Sequence, residues 1–182
     1  DDTARDALEA ILGLALEDEV IVDAVVAQSE AQCVALWGLR EGVPEAQRHE
    51  GTGSIKHDVS VPVSRVSEFL REANKRVHQQ MPAARICAFG HMGDGNIHYN
   101  VNQPFEMDKD VFLDQWDIFK KIVHDLVNDM DGSVSAEHGI GLLKREDMAT
   151  YKNPVALDLM RAVKQTLDPQ NIMNPGKVLP DG

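Results

Sequence analysis

The chain predicts an α+β fold, and three observations carry that expectation. Apolar residues recur at helical spacing in Val66, Phe69, Leu70, Ala73 and Val77, and again in Phe112, Trp116, Phe119, Ile122, Val123 and Leu126. Residues 55–63, 85–90 and 96–102 read as short strands set around these helices. From residue 55 the order is strand, helix, strand, strand, helix, strand, which is the split βαβ, ferredoxin-like arrangement. It implies one antiparallel sheet with helices on one face, here extended by N- and C-terminal helical segments.

Taken in order, residues 3–38 carry helical periodicity, broken near residues 16–18 and continuing through Cys33, Leu36 and Trp37. An irregular stretch follows at 41–54, with Pro44 and three glycines. The strand at 55–63 stops at Ser64, which reads as the N-cap of the next helix. The strands at 85–90 and 96–102 are joined through Gly93-Asp94-Gly95, and a long amphipathic helix comes next. Residues 132–136 read as a short strand entering a turn, helices fill 140–167, and 168–180 is a loop punctuated by Pro and Asn. The expected division is a helical N-terminal segment with a substrate-binding loop at 1–54, a ferredoxin-like core at 55–139, and C-terminal helices with a tail at 140–182.

Composition narrows the function class. A chain of 182 residues with 43% hydrophobic and 26% charged can bury a proper core. A formal net charge of −12 argues against nucleic acid, whose binding needs clustered cations. The cluster Arg71, Lys75 and Arg76 has helical spacing and reads as a solvated face. No apolar run approaches a transmembrane segment. Cys33 and Cys87 form no CxxC pair and read as buried reduced thiols, which favours a cytoplasmic location. The chain opens Asp1-Asp2-Thr3 without Met, basic leader or secretory signal, so it is expected to be a piece of a longer protein.

Four patches carry chemistry. The densest is Phe89-Gly-His-Met-Gly-Asp-Gly-Asn-Ile-His-Tyr-Asn100. Asp94-Gly95 signals a two-residue type I′ hairpin. That turn would set His91 opposite His98, with Cβ atoms roughly 5 Å apart and Asn96 on the same face. Two imidazoles so placed either chelate a divalent metal or merely cap an exposed sheet face. The second patch is Ser135-Ala-Glu-His-Gly-Ile-Gly141. Glu137 would complete a two-histidine, one-carboxylate set with open positions. In regular strand geometry Glu137 and His138 point to opposite faces, so both reach one site only if the strand ends or bulges beside Gly139. On spacing alone, a surface Glu and a helix-capping His remain slightly the favoured reading.

The third patch is basic, with Arg40 in Leu36-Trp-Gly-Leu-Arg-Glu41 and Lys56 in Ile55-Lys-His-Asp-Val-Ser60. With eighteen basic residues against thirty acidic ones, any single cation reads first as a surface counter-charge rather than an anion receptor. His57 turns to the face opposite Lys56 by strand alternation. The fourth patch is Leu167-Asp-Pro-Gln-Asn-Ile-Met-Asn-Pro-Gly-Lys177, a folded loop whose prolines fix φ and whose Asn174 and Gly176 tolerate turn geometry.

Together the patches resemble the C-terminal domain of the FAD-linked oxidases of the vanillyl-alcohol-oxidase type. The likeness is greatest to D-2-hydroxyglutarate and D-lactate dehydrogenases and the glycolate oxidase flavin subunit. It runs from about Trp37 to Pro180, on Gly-His-x-Gly-Asp-Gly-Asn-x-His, Ser-Ala-Glu-His-Gly-x-Gly and Asn-Pro-Gly-Lys in that order. The resemblance implies that His91, His98 and Glu137 hold a divalent metal, usually taken as zinc. It implies that Arg40 and Lys56 bind substrate carboxylate, that Asn96 and His138 contact the reacting centre, and that Asn174 lies near the flavin ring. Some relatives carry a hydroxyl residue four positions after Arg40, where this chain has Pro44. Nothing here resembles the Gly-rich pyrophosphate-binding segment, so the FAD-binding domain is expected outside this chain.

The activity so implied is oxidation of a 2-hydroxy acid to the keto acid, with hydride passing to FAD and His138 as general base. A homodimer is a further expectation. Two rivals remain on sequence alone: a non-catalytic small-anion or metal-binding ferredoxin-like module, and a zinc hydrolase using Asp94 as base. A yellow full-length protein distinguishes the dehydrogenase from the first.

Overall fold

The computed structural model describes residues 2–50 and 52–180. By backbone contacts the chain divides into two units, Asp1–Gly51 and Thr52–Gly182. The first is helical: α1 Asp2–Glu17, α2 Glu30–Glu41 and α3 Val43–His49. Ser29 caps α2, its side chain accepting from the Gln32 N–H, and Pro44 sits in the first turn of α3, where a missing N–H costs nothing. The stretch expected to be irregular is therefore helical over most of its length. Cys33 is exposed and Cys87 half-buried, so the expectation of buried thiols fails for Cys33. Cys33 lies on α2, a helix with no buried residue.

The second unit contains β1 Ser54–Ser60, α4 Val66–Gln80, β2 Arg85–His91, β3 Asn96–Asn102, α5 Lys109–Leu113, α6 Trp116–Asp129, α7 Arg145–Tyr151 and α8 Pro154–Leu167. The three strands form an antiparallel sheet in the order β1-β3-β2. The expected fourth strand shrinks to one bridge, Ser60 to Ser133, on the free edge of β1. That placement preserves the ferredoxin-like order 4-1-3-2, and the fold is α+β as expected.

Two local expectations are corrected. Ser64 does not cap α4. After Pro62 the chain makes a 3₁₀ turn, Val63–Arg65, and the N–H of Val66 bonds to the Val63 carbonyl before α4 begins. The single long helix expected after β3 is α5 and α6, broken at Asp114 and Gln115, which leaves Trp116 exposed.

The register divides the sheet into two unlike faces. On one, Ile55, Val59, Ile97, Tyr99 and Val101 are buried with Val66, Phe69, Ala73 and Val77 of α4 and Phe119, Val123 and Leu126 of α6. Each Val, Leu, Ile or Phe among them is worth roughly 1.5–3 kcal/mol when fully removed from water. On the other face lie Lys56, Asp58 and Ser60 of β1, Asn96, His98 and Asn100 of β3, and Cys87, Phe89 and His91 of β2, as the pairs Lys56–Asn100, Asp58–His98 and Phe89–His98 require.

Polar groups also enter the helix side. His57, on the face opposite Lys56, donates from Nδ1 to the Tyr99 carbonyl at 2.8 Å and lies edge-on to His124 of α6, ring centroids 5.9 Å apart. Burial pushes the His57 imidazole down to about 3, with His124 and Lys144 adding to the fall and the Tyr99 carbonyl opposing it. Burial likewise pushes His124 down to about 4, helped by Lys144 and Lys120 and opposed by Asp125. Both values lie below the ordinary histidine value of about 6.5, so the unfolded chain binds more protons than the folded one between pH 6.5 and about 4. Stability is therefore complete above pH 6.5 and falls as pH drops through that window. Each histidine contributes a slope of up to about 1.4 kcal/mol per pH unit. Urea unfolding at pH 7.0, 5.5 and 4.5 should show this loss, and His124→Gln should flatten it. Parallel curves for the two proteins would contradict the assignment.

Candidate active site on the polar face of the sheet

The hairpin that carries the first motif does not turn at two residues. His91 opposes Asn96, and Phe89 opposes His98, leaving Met92, Gly93, Asp94 and Gly95 as a four-residue loop. The shift from the expected register is two positions in pairing, and side chains repeat every two, so His91 and His98 still share a face. Their ring centroids stand 6.2 Å apart. Asp94 is not at positive φ; its carboxylate accepts from the Asn96 N–H at 2.9 Å, and Gly95 alone in the loop has φ of +78°. A Cβ on Gly95 would lie 2.0 Å from the Val61 carbonyl oxygen, so the loop needs glycine there.

The obstacle at Glu137 and His138 is resolved by the shrunken fourth strand. Beyond the bridge at Ser133 the chain leaves the sheet and bends around one carboxylate. The N–H groups of Ala136, Glu137 and His138 all donate to Asp58 Oδ2, at 3.1, 3.0 and 2.8 Å. Lys144 fastens the same bend from behind, its ammonium donating to the carbonyls of Val134 at 2.9 Å and Asp58 at 3.3 Å. Gly139 follows with φ of +77°, a conformation that suits glycine. Both Glu137 and His138 thus turn toward β3. Glu137 Oε1 is 2.9 Å from His98 Nε2, and Glu137 Oε2 is 3.9 Å from His91 Nδ1. The His138 ring stacks on His98 with centroids 5.5 Å apart and planes inclined by 19°.

Asp58, His98, Glu137 and His138 form a cluster in which one potential ligand atom from each lies within 4.8 Å of the others. His91 adjoins it through Glu137. Asp58 is 3% exposed, and its Oδ1 has no hydrogen-bond partner. Burial pushes the Asp58 carboxyl upward, but the N–H groups of His138 and Glu137, with the charges of His138 and Lys144, more than offset it and hold the group below its usual value. Burial lowers the His98 imidazole below its ordinary value, with the fields of Glu137 and Asp58 opposing and those of His138 and His91 assisting.

The family described as FAD linked oxidases, C-terminal domain, covers residues 1–178. The chain belongs to that family. It is 41% identical over 163 residues to a D-2-hydroxyglutarate dehydrogenase of Stutzerimonas stutzeri, covering 90% of this chain and 35% of that protein. It is 37% identical over 178 residues to a D-2-hydroxyglutarate dehydrogenase of Xanthomonas citri pv. viticola, covering 98% of this chain and 37% of that one. A putative mitochondrial D-lactate dehydrogenase of Schizosaccharomyces pombe is 36% identical over 171 residues, covering 89% of this chain and 31% of its own length. The chain thus spans about a third of the length of these relatives. Among its described residues no helix is long and apolar enough to cross a membrane.

Within this FAD linked oxidase domain, the residues singled out from the sequence fall into three places. His91, His98, Glu137 and His138 converge at the loop end of the sheet. Lys56 and Asn96 share their face; Lys56 is exposed opposite Asn100, while Asn96 is buried with its Oδ1 lacking a hydrogen-bond partner. Asn174 lies apart from these in sequence and setting. It has φ of +47° and lines a groove of about 520 Å³ between α8 and the tail, with Leu159, Val163, Leu167, Met173 and Val178. Arg40 stands in the last turn of α2, in the other unit.

Sequence reasoning missed Asp58. Strand parity contained its signal, since Asp58 is two residues from Lys56. The bend itself gave none. Lys144→Met should cost about 1.5–3 kcal/mol, because two carbonyls lose a charged donor in a half-buried place. Denaturant unfolding measures it, and a change under 0.5 kcal/mol, roughly the scale of an ordinary surface substitution, would show that the ammonium does not fasten the bend.

Proposed function

We propose that this chain is the substrate- and metal-binding part of an FAD-dependent D-2-hydroxy-acid dehydrogenase of the D-2-hydroxyglutarate or D-lactate type. The observation that carries the reading is the convergence of His98, Glu137 and His138, with His91 beside them, on the face that also bears Lys56. The names of the relatives point to the same substrate class.

The donor set of two imidazoles and one carboxylate suits a divalent metal, zinc before the harder cations. His91, His98 and Glu137 would hold it, and when bound it would acidify the substrate hydroxyl and fix the carbon that bears it. FAD, held mainly by the remainder of the full-length protein, would accept the hydride, with Asn174 toward its ring.

The chain's own residues would do the rest. Lys56 would attract the substrate carboxylate as a point charge and Arg40 would clamp it with its fork. Asn96 would offer its amide to the reacting centre. His138 would take the hydroxyl proton. Its Nδ1 faces Asp58 Oδ2 at 3.8 Å, which favours a proton on Nδ1 and leaves the Nε2 lone pair to accept. Asp94 is less suited to that task, since one of its oxygens accepts from the Asn96 N–H and its side chain is 67% exposed. A cytoplasmic location and a homodimer complete the proposal. Cell fractionation tests the first, the plant relatives bearing mitochondrial names, and light scattering tests the second.

The full-length gene product should be yellow and oxidise D-2-hydroxyglutarate or D-lactate. A colourless protein inert toward D-2-hydroxyglutarate, D-lactate, D-malate and glycolate would refute the reading. It should bind one divalent ion per site, lost in His91→Ala, His98→Ala or Glu137→Ala; undiminished metal in all three by elemental analysis contradicts the ligand set. His138→Asn should lower turnover by on the order of 10²- to 10⁴-fold with metal and flavin contents unchanged, and the acid limb of the rate profile should vanish. Near-normal turnover with that limb intact would exclude His138 as the base.

A further inference from the structure

Asp58 is the buried member of the cluster, and its two oxygens do different things. Oδ2 takes three consecutive backbone N–H groups, from Ala136, Glu137 and His138. These are charge-assisted bonds in a cradle of amides, and they fix the orientation of the whole carboxylate. Oδ1 is then left on the other side, buried, with no hydrogen-bond partner, and 3.7 Å from His98 Nδ1. The opposite ring nitrogen of His98, Nε2, faces Glu137 Oε1 at 2.9 Å. The two nitrogens of one imidazole point away from each other, so Asp58 and Glu137 address different ends of the ring.

We propose that Asp58 is a positioning residue with two linked roles: it sets the His98 tautomer with the proton on Nδ1, freeing Nε2 as the metal-ligating atom, and it holds the bend that delivers Glu137 and His138. The metal role of His98 rests on the function proposed above; the tautomer and the bend do not. A carboxylate behind a ligating histidine fixes its ring and makes it the better donor. Asp58 is therefore not itself a ligand in this arrangement. Its Oδ2 is committed to three amides, and its Oδ1 faces the wrong end of the imidazole.

The geometry makes the effect of Asp58→Asn specific. The three amide N–H groups require an acceptor at the Oδ2 position, so the asparagine must place its carbonyl there and its NH₂ toward His98. Nδ1 then has to accept, the proton moves to Nε2, and the ligating position is blocked while the bend keeps an acceptor. The test uses the full 182-residue chain with ¹⁵N-labelled histidine rings at pH 8, where free imidazoles are neutral. Long-range ¹H–¹⁵N correlations, assigned for His98 by its loss in His98→Gln, report which nitrogen carries the proton without metal present. The unsubstituted chain should show Nδ1–H and Asp58→Asn should show Nε2–H. Titration calorimetry with Zn²⁺ should then find Asp58→Asn weaker by about 10- to 100-fold.

Nε2–H in the unsubstituted chain overturns the proposal without need of a variant. So does Nδ1–H retained in Asp58→Asn with Zn²⁺ affinity unchanged. Should the unsubstituted chain take up no Zn²⁺, the metal reading fails by itself, and the tautomer of His98 still decides the role of Asp58.

Discussion

The pairing of β1 with β3 is the constraint on which the rest depends. With Asp58 opposite His98, every odd-numbered position of β1 from Ile55 to Val59 points into the helices, and every even one points to the polar face. A slip of one residue would invert this. Val59 and Ile55 would meet water, and the face carrying His98 would receive His57 in place of Asp58. The register is protected by the size of that penalty, since Ile55, Val59, Tyr99 and Val101 are all fully buried. The same core that stabilises the sheet thereby decides which chemistry lines its other side.

Under the sheet the arrangement is less economical. His57 Nε2, His124 Nδ1 and Asp147 Oδ2 are all buried without a hydrogen-bond partner, and Lys120 pairs with Asp147 at 3.2 Å nearby. Lys144 belongs to both surroundings, since it fastens the bend at Val134 and Asp58 and also lies in the field of Asp147. Burial lowers its affinity for a proton while the two carboxylates oppose that loss. Such a polar cluster costs the fold stability, because unpaired buried groups cost more than a hydrogen bond returns.

Much of this was legible in the sequence, and the reasons differ by element. The strands and α4 follow from period-two and period-3.6 patterns that no tertiary contact overrides; Val66, Phe69, Ala73 and Val77 are buried as their spacing demands. The hairpin turn misled, because Asp94-Gly95 signals a two-residue turn only if both residues take positive φ, and Asp94 instead uses its side chain to cap Asn96. The face of His91 and His98 survived that error through parity. The meeting of Glu137 with His138 could be posed but not solved, since it depends on Asp58, some eighty positions upstream, capturing three amides. Local pattern contains no trace of such a contact.

The crowding at Gly95 has a consequence for protein engineering. Its carbonyl accepts from the Val61 N–H at 3.1 Å, and its own α-carbon leaves no room toward Val61, so the hairpin is pinned to the exit of β1 at that residue. Two residues away, nothing lies within 4 Å of the place a Cβ would occupy on Gly93, and Met92 is exposed. The loop therefore has a fixed foot and an open tip. A reporter group or an inserted peptide at 92–93 would sit at the mouth of the polar face, close enough to sense what enters, while the strands that aim the histidines stay clamped by their own backbone.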